Sequence, residues 1–349
     1  MNVTIRIVAP LLAIVGLAML AAPAHATFMS ETCGNAGCPG DLKFYDSSDS
    51  KDVTSFVGSV GMEHGGLADT VDTFVDTNTA AGYASIWEEL RALNVSVSDG
   101  NCGALDAVAC ADALLEGERA DLLLVGGAEA MSEALFVAFD RLHAFGDRER
   151  RVPDAKARSL PWQRSPAGVF PGEARLGEGA VLFALETEKG AHDRAKAQGM
   201  AAPATLATVC GYGASFEPPK RAEALLYAAP VALERAIQSA LDDAGVPAGD
   251  VDAVVSGISG IRAFDAAELT AIDRTVGASG FVSAPKLAHG ETLGAGGALA
   301  ILTAIAHMRG DGSAYAVRGT LRGPVRTVVV TALGYYGNAA ALVMKRPAS

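Results

Sequence analysis

An α/β fold made of two similar halves is what this sequence predicts, and three observations predict it. From about residue 83 onward, short apolar runs ending in glycine alternate with amphipathic or small-residue-rich stretches, as buried strands alternate with helices. Two helical stretches, "CGALDAVACADALL" and "TLGAGGALAILTAIAHM", each follow a glycine-bearing turn and carry small residues suited to close packing. They read as counterparts in a duplicated α/β unit. Half the residues are hydrophobic, only 6% are aromatic, and glycine occurs 39 times, a composition that suits helices lying tightly on sheets.

The first 26 residues pose a conflict. "MNVTIRIVAPLLAIVGLAMLAAPAHA" has one Arg, an apolar run and a small-x-small ending at Ala24-His25-Ala26, the parts of a secretory signal peptide. A membrane anchor is a second reading, against which the run is short and carries Pro10 and Pro23. A third makes the segment the first buried strand of a cytosolic domain. Residues 27–82 form a divergent N-terminal part, rich in Gly, Ser, Asp and Thr, that reads as short strands joined by turns. Cys33 and Cys38 in "ETCGNAGCPG" either pair, bind metal weakly or stay free, and no second Cys or His cluster completes a zinc site. His64 in "GMEHGG" reads as a loop residue.

The later elements follow in order. "NVSVS" reads as a strand and "CGALDAVACADALLEG" as a helix stopped by Gly117. "ADLLLVGG" reads as a buried strand, "SEALFVAFDRLHAF" as a helix, "RRVPDAKARSLPWQRSPAGVFPGEA" as a polar excursion and "GEGAVLFALE" as another buried strand. "APVALERAIQSALDDAGVP" is an amphipathic helix, "VDAVVSGISG" a strand into a Gly/Ser turn, and "FDAAELTAIDRTVG" a helix. The small-residue helix and the strands "VRTVVVTALG" and "AAALVMK" close the chain. The first half spans 83–190 and is short; the second spans 191–349.

A formal charge of −12 excludes a nucleic-acid-binding role that depends on a basic surface. Five cysteines in a chain of 349 residues do not make a disulfide scaffold.

Five stretches carry a resemblance: "ADLLLVGGAEAMSEALFVAFDRLHAF", "RLGEGAVLFALE", "FDAAELTAIDRTVG", "PKLAHGETLGAGGALA" and "ALGYYGNAAALVM". In this order the chain resembles the β-ketoacyl-acyl-carrier-protein synthases, the condensing enzymes of fatty-acid and polyketide synthesis. The resemblance implies a thiolase-like fold, two duplicated α/β halves in αβαβα layers, usually dimeric. It also implies a nucleophilic cysteine at the tip of the first buried helix, two histidines from the second half and a supporting lysine. A helix N-terminus suits such a thiolate and the oxyanion formed from it.

Carried over by position, the nucleophile falls on Asn101, counted back from Gly126-Gly127. The first histidine falls on Gly257 in "SGISGIRA" and the second on Glu291, while Lys286 is retained. An amide cannot form a thioester. A carboxylate at 291 would repel the enolate that a histidine stabilises. Cys102 is the alternative nucleophile, but one residue along a helix turns a side chain by about 100° and shifts it by about 1.5 Å. An inert packing cysteine is the competing reading. His289 reads as a hydrogen-bonded loop histidine near the missing second one. His143, His192 and His307 are expected to face solvent or a partner, and Glu178 to support the site.

Loss of all three catalytic groups resembles the chain-length-factor subunits of heterodimeric ketosynthases. The resemblance implies a non-catalytic partner of an active synthase, with that subunit or a second copy as its dimer mate and an acyl carrier protein as client. No cofactor or metal is implied, and a cytoplasmic location follows from the family. The alternatives are an active acyltransferase using Cys102 and an exported binding protein.

Overall fold

The computed structural model describes residues 3–6, 26–31, 41–46, 94–130, 162–165, 168–171, 174–220, 226–310 and 315–347. In chain order the strands are β1 (Val3–Arg6), β2 (Ala26–Glu31), β3 (Asp41–Asp46), β4 (Leu122–Glu129), β5 (Trp162–Ser165), β6 (Gly168–Pro171), β7 (Gly179–Thr187), β8 (Ala207–Phe216), β9 (Ala253–Val255), β10 (Phe281–Ser283), β11 (Ala316–Arg318), β12 (Thr327–Leu333) and β13 (Asn338–Lys345). The α-helices are α1 (Gly103–Glu116), α2 (Glu188–Ala197), α3 (Pro230–Ala244), α4 (Arg262–Thr275), the single turn α5 (Lys286–His289) and α6 (Gly296–Arg309).

The described residues fall into two compact units, one within Ala9–Ser98 and the other within Met1–Val8 and Asp99–Ser349. In the first, β2 and β3 form an antiparallel hairpin with Ala26 opposite Asp46 and Glu31 opposite Asp41. Residues 94–98, expected as a strand, have no regular structure. Val95 and Val97 are exposed there. Alternation alone does not make a strand. Cys33, Cys38, His64, His143 and the helix expected over "SEALFVAFDRLHAF" lie outside the described residues.

The second unit is built on a nine-stranded sheet of order β11-β10-β9-β12-β13-β8-β1-β7-β4. The run β4-β7-β1 repeats β12-β13-β8 about an axis between β1 and β8, and every neighbouring pair along both runs is antiparallel. This is the duplication the two helices announce. β1 pairs on both sides, Val3 lying opposite Thr187 of β7 and Val209 of β8. β4 was expected to be buried throughout, yet Leu122 is half exposed and Val125 alone is buried. Among the described residues β4 pairs only with β7, which leaves one of its flanks uncovered.

Strands β9, β10, β12 and β13 are buried on both faces, with period-2 division of their side chains. Val328 and Val330 join one hydrophobic cluster and Val329 the other; Val255 and Val254 divide likewise. The first cluster unites Leu105, Val108 and Leu115 of α1 with Ile301, Ile305 and Met308 of α6 and with residues of both sheet halves. The second holds α3 and α4 against the opposite face. α3 forms because Leu233, Ile237 and Leu241 recur every four residues above Ala232, Ala236 and Ala240. Pro230 opens it, and Gly245, at φ 59°, closes it with its amide on Asp242 O.

The two inner helices meet at Gly297, where a Cβ would lie 3.1 Å from that of Ala104. Each is entered through a single 3-10 turn, Gly100–Cys102 before α1 and Leu293–Ala295 before α6. Both turns, and hence both helix N-termini, are brought to one region. Gly127 of β4 backs the second turn so closely that a Cβ would sit 2.1 Å from Gly294 O.

Candidate functional site

Asn101, from the turn before α1, and Lys286 and Glu291, five residues apart before α6, form one buried network. Asn101 sits in the 3-10 turn before α1, where its amide donates to Leu333 O at 3.2 Å. Its carbonyl oxygen accepts from Lys286 Nζ at 3.1 Å. The same ammonium donates to Glu291 Oε1 at 2.6 Å. Lys286 and Glu291 are 3% and 1% exposed, so the pair is shielded from water and each charge depends on the other.

The rest of the Glu291 carboxylate is also satisfied. Oε1 accepts from Leu293 N at 2.9 Å and Oε2 from Tyr335 OH at 2.8 Å. Its backbone is pinned by Glu291 N donating to Arg175 O at 2.6 Å and Gly177 N donating to Glu291 O at 2.9 Å. Leu293 takes a left-handed φ of 39°, and its amide points at the carboxylate. Burial and the negative charge of Glu291 push the Tyr335 phenol well above its ordinary range, so it stays protonated and able to donate.

Gly257 belongs to an adjoining network. Its amide donates to Glu268 Oε1 at 2.7 Å, and Thr331 Oγ1 donates to the same oxygen at 2.6 Å. Burial raises the Glu268 carboxyl to about 7, although both hydrogen bonds and the charge of Lys286 oppose it. A Cβ on Gly257 would lie 3.3 Å from Glu268 Oε2, so the position offers no side-chain group of its own. Asp265, one helical turn before Glu268, accepts from the Ser259 and Gly260 amides at 3.0 Å each and holds the Gly/Ser turn. Glu129 Oε2 of β4 accepts from Gly294 N at 3.1 Å and ties the first half to the turn before α6.

Cys102 ends the turn in which Asn101 sits, but it belongs to the hydrophobic cluster and is 1% exposed. Its thiol donates to Ala332 O at 3.6 Å. Burial, reinforced by Asp106 and Asp99, pushes its pKa well above the ordinary thiol value. A helix tip alone does not make a thiolate where desolvation and nearby carboxylates both oppose the charge.

His289 hydrogen-bonds through Nε2 to Tyr315 OH at 2.9 Å and stacks edge-on against that ring. His192 is exposed and its Nδ1 lies 2.9 Å from Glu188 O. His307 corrects the expectation of a solvent-facing residue. It is 1% exposed, with Nε2 2.9 Å from Ser283 Oγ and its ring edge-on to Phe281. It lies on the buried face of α6, while Leu299, Leu302 and Ala306 form a half-buried stripe on another face. Glu178 is exposed and follows Gly177, whose amide pins Glu291. Sequence reasoning did not single out Tyr335, Glu129, Asp265, Glu268 or Thr331. A signal existed for the pair in "FDAAEL", where two acids three residues apart fall on the apolar face of α4.

Comparison with known proteins agrees with this geometry. Residues 45–191 match the β-ketoacyl synthase N-terminal domain, and residues 206–313 match the β-ketoacyl synthase C-terminal domain. The chain belongs to the β-ketoacyl synthase family. It is 28% identical over 294 residues to the actinorhodin polyketide putative β-ketoacyl synthase 2 of Streptomyces coelicolor, covering 78% of this chain and 66% of that one. It is 31% identical over 232 residues to the 3-oxoacyl-[acyl-carrier-protein] synthase 2 of Vibrio cholerae, covering 65% and 52%. The chain thus spans between about half and two thirds of the length of these relatives. The ishigamide ketosynthase/chain length factor has the same fold, with a TM-score of 0.63 at 20% identity over 80% of this chain and 67% of that one. The fold is therefore thiolase-like, its two α/β halves layered as the motifs imply.

Proposed function

We propose that this member of the β-ketoacyl synthase family is a non-catalytic, chain-length-factor-type subunit that acts beside a catalytic synthase in polyketide or fatty-acid assembly. The observation that carries this reading is the closed network at Asn101, Lys286 and Glu291. Where a condensing enzyme needs a thiolate and two neutral imidazoles, this chain has an amide, a glycine and an ion-paired carboxylate. No group in the network has a free lone pair activated for attack on a thioester. The adjacent Cys102 is kept as a thiol by its surroundings, which weighs against a catalytic role for it.

A subunit without chemistry contributes shape. Its expected mate is an active ketosynthase, and its expected client is an acyl carrier protein that delivers chains to the pair. The polyketide synthase among its relatives supports that system. A cytoplasmic location is part of the same proposal, supported by the pairing of Val3–Arg6 on both sides inside the sheet.

Co-expression with a catalytic ketosynthase from the same cells tests the proposal. The expected result is a one-to-one heterodimer by size-exclusion chromatography and native mass spectrometry, with products whose length changes when this subunit is exchanged for a relative. A chain that stays alone or pairs only with itself, and leaves product length unaltered, overturns it.

A further inference from the structure

The surroundings of Glu291 are those of a bound anion rather than of an ordinary core residue. Three donors converge on one carboxylate, two from its own loop and one from across the fold: the Lys286 ammonium at 2.6 Å, the Leu293 amide at 2.9 Å and the Tyr335 phenol at 2.8 Å. The amide belongs to the turn that leads into α6, the electropositive end of an inner helix. Gly296 makes room for the cation, since a Cβ there would lie 2.2 Å from Lys286 Cε and 2.6 Å from Nζ. The same point is 3.5 Å from Thr292 Oγ1, a hydroxyl that is 3% exposed and has no hydrogen-bond partner. A fourth polar group therefore stands unused beside the cage.

We propose that the Lys286, Leu293 and Tyr335 donors form a carboxylate-binding site whose permanent occupant is the side chain of Glu291. The side chain is an internal plug. It supplies the negative charge that the cage requires, and it keeps carboxylate-bearing acyl groups from entering. This rests on the non-catalytic reading of the chain and gives it a physical device: the site is silent because it is occupied as well as because its nucleophile is missing. The tether makes the occupant insensitive to dilution. An external anion must overcome both the loss of three hydrogen bonds and the desolvation of Glu291 to displace it.

Truncation exposes the site to test. Glu291→Ala removes a CH2 and a carboxylate, the heavy atoms of acetate, and leaves the three donors in place. Purified Glu291→Ala is titrated with sodium acetate against sodium chloride at equal ionic strength, and thermal unfolding is followed. Acetate is expected to raise Tm with the logarithm of its concentration, by about 4 °C at 100 times its dissociation constant, as for any ligand bound only by the folded state. The wild-type chain, already plugged, is expected to show no difference between the two salts. The same absence of a difference is expected for Glu291→Gln, which refills the volume, and for Glu291→Ala/Lys286→Met, which lacks the cation.

Equal behaviour of Glu291→Ala in acetate and chloride overturns the proposal, as does an acetate shift of the same size in the wild type. If Glu291→Ala does not fold in chloride, it is refolded in acetate. Recovery of the native circular dichroism signal supports the site, and failure to recover overturns it. These outcomes do not depend on heterodimer formation, so the plug can fall while the subunit reading stands, and the reverse.

Discussion

Lys286 Nζ donates to Glu291 Oε1 at 2.6 Å in a position where neither residue is more than 3% exposed. Removing one member strands the other as an unpaired buried charge. Lys286→Met is therefore expected to lose about 3–5 kcal/mol of stability. Lys286→Met/Glu291→Gln is expected to lose less than the sum of the two single changes, because neither charge then remains. Urea denaturation of the four proteins in the cycle measures the coupling.

Two adjacent glycines at the start of α6 make different demands. A Cβ on Gly296 meets Lys286 Cε at 2.2 Å, so Gly296→Ala must expel the lysine from its network and should approach the cost of Lys286→Met. A Cβ on Gly297 meets the Ala104 methyl at 3.1 Å and Leu105 Cγ at 3.3 Å, which calls only for a small separation of α1 and α6. Gly297→Ala is expected to cost about 1–3 kcal/mol. Denaturation midpoints rank the two, and an equal cost would contradict the assignment of Gly296 to the lysine.

Stability should fall as pH rises from about 4 toward neutrality. Burial raises Asp106 to about 7, with Asp99 adding to the rise and the Tyr212 hydrogen bond at 2.5 Å opposing it. Burial likewise raises Asp265 to about 7. A carboxyl with a raised folded-state pKa binds its proton more tightly when folded. Its contribution is complete below the unfolded value of 3.8 and is lost as pH passes through 7. Asp106→Asn should flatten this decline. Thermal unfolding of wild type and variant at pH 5 and pH 8 provides the check, and parallel profiles would contradict it.

The strand Val3–Arg6 makes the N-terminal segment part of the fold. It fills the place between β7 and β8 on which the sheet's symmetry turns. A chain beginning at residue 27 lacks it and leaves two facing edges unpaired. That chain is expected to be poorly soluble and to show weak amide protection in Gly179–Thr187 and Ala207–Phe216 by hydrogen exchange. Unchanged protection in both strands would show that β1 is dispensable.

Much of this architecture was legible in the residues because its elements obey simple periods. Leu233, Ile237 and Leu241 mark α3, and the small residues of α1 and α6 declare that these two helices touch. Position counting also brought Asn101, Lys286 and Glu291 to attention, although it did not reveal that Lys286 bridges the other two. What stayed hidden depends on neighbours far away in the chain. "NVSVS" has a strand's alternation but takes no regular structure. His307 looks polar in sequence yet is enclosed by Ser283 and Phe281. Tyr335 gains its role only because Glu291 lies 2.8 Å from its hydroxyl, a contact across 44 residues.

On the non-catalytic reading proposed above no acyl-enzyme forms on this chain, and Cys102 is the residue that decides it. Its thiol is 1% exposed, and burial raises its pKa well above the ordinary value. The direct measurement is the intact mass of the purified protein after incubation with an acyl-carrier-protein thioester, alongside a catalytic ketosynthase treated in the same way. The catalytic synthase is expected to gain the mass of one acyl group while this chain keeps its own. A single acyl addition here, mapped to Cys102 and absent in Cys102→Ala, would contradict the account.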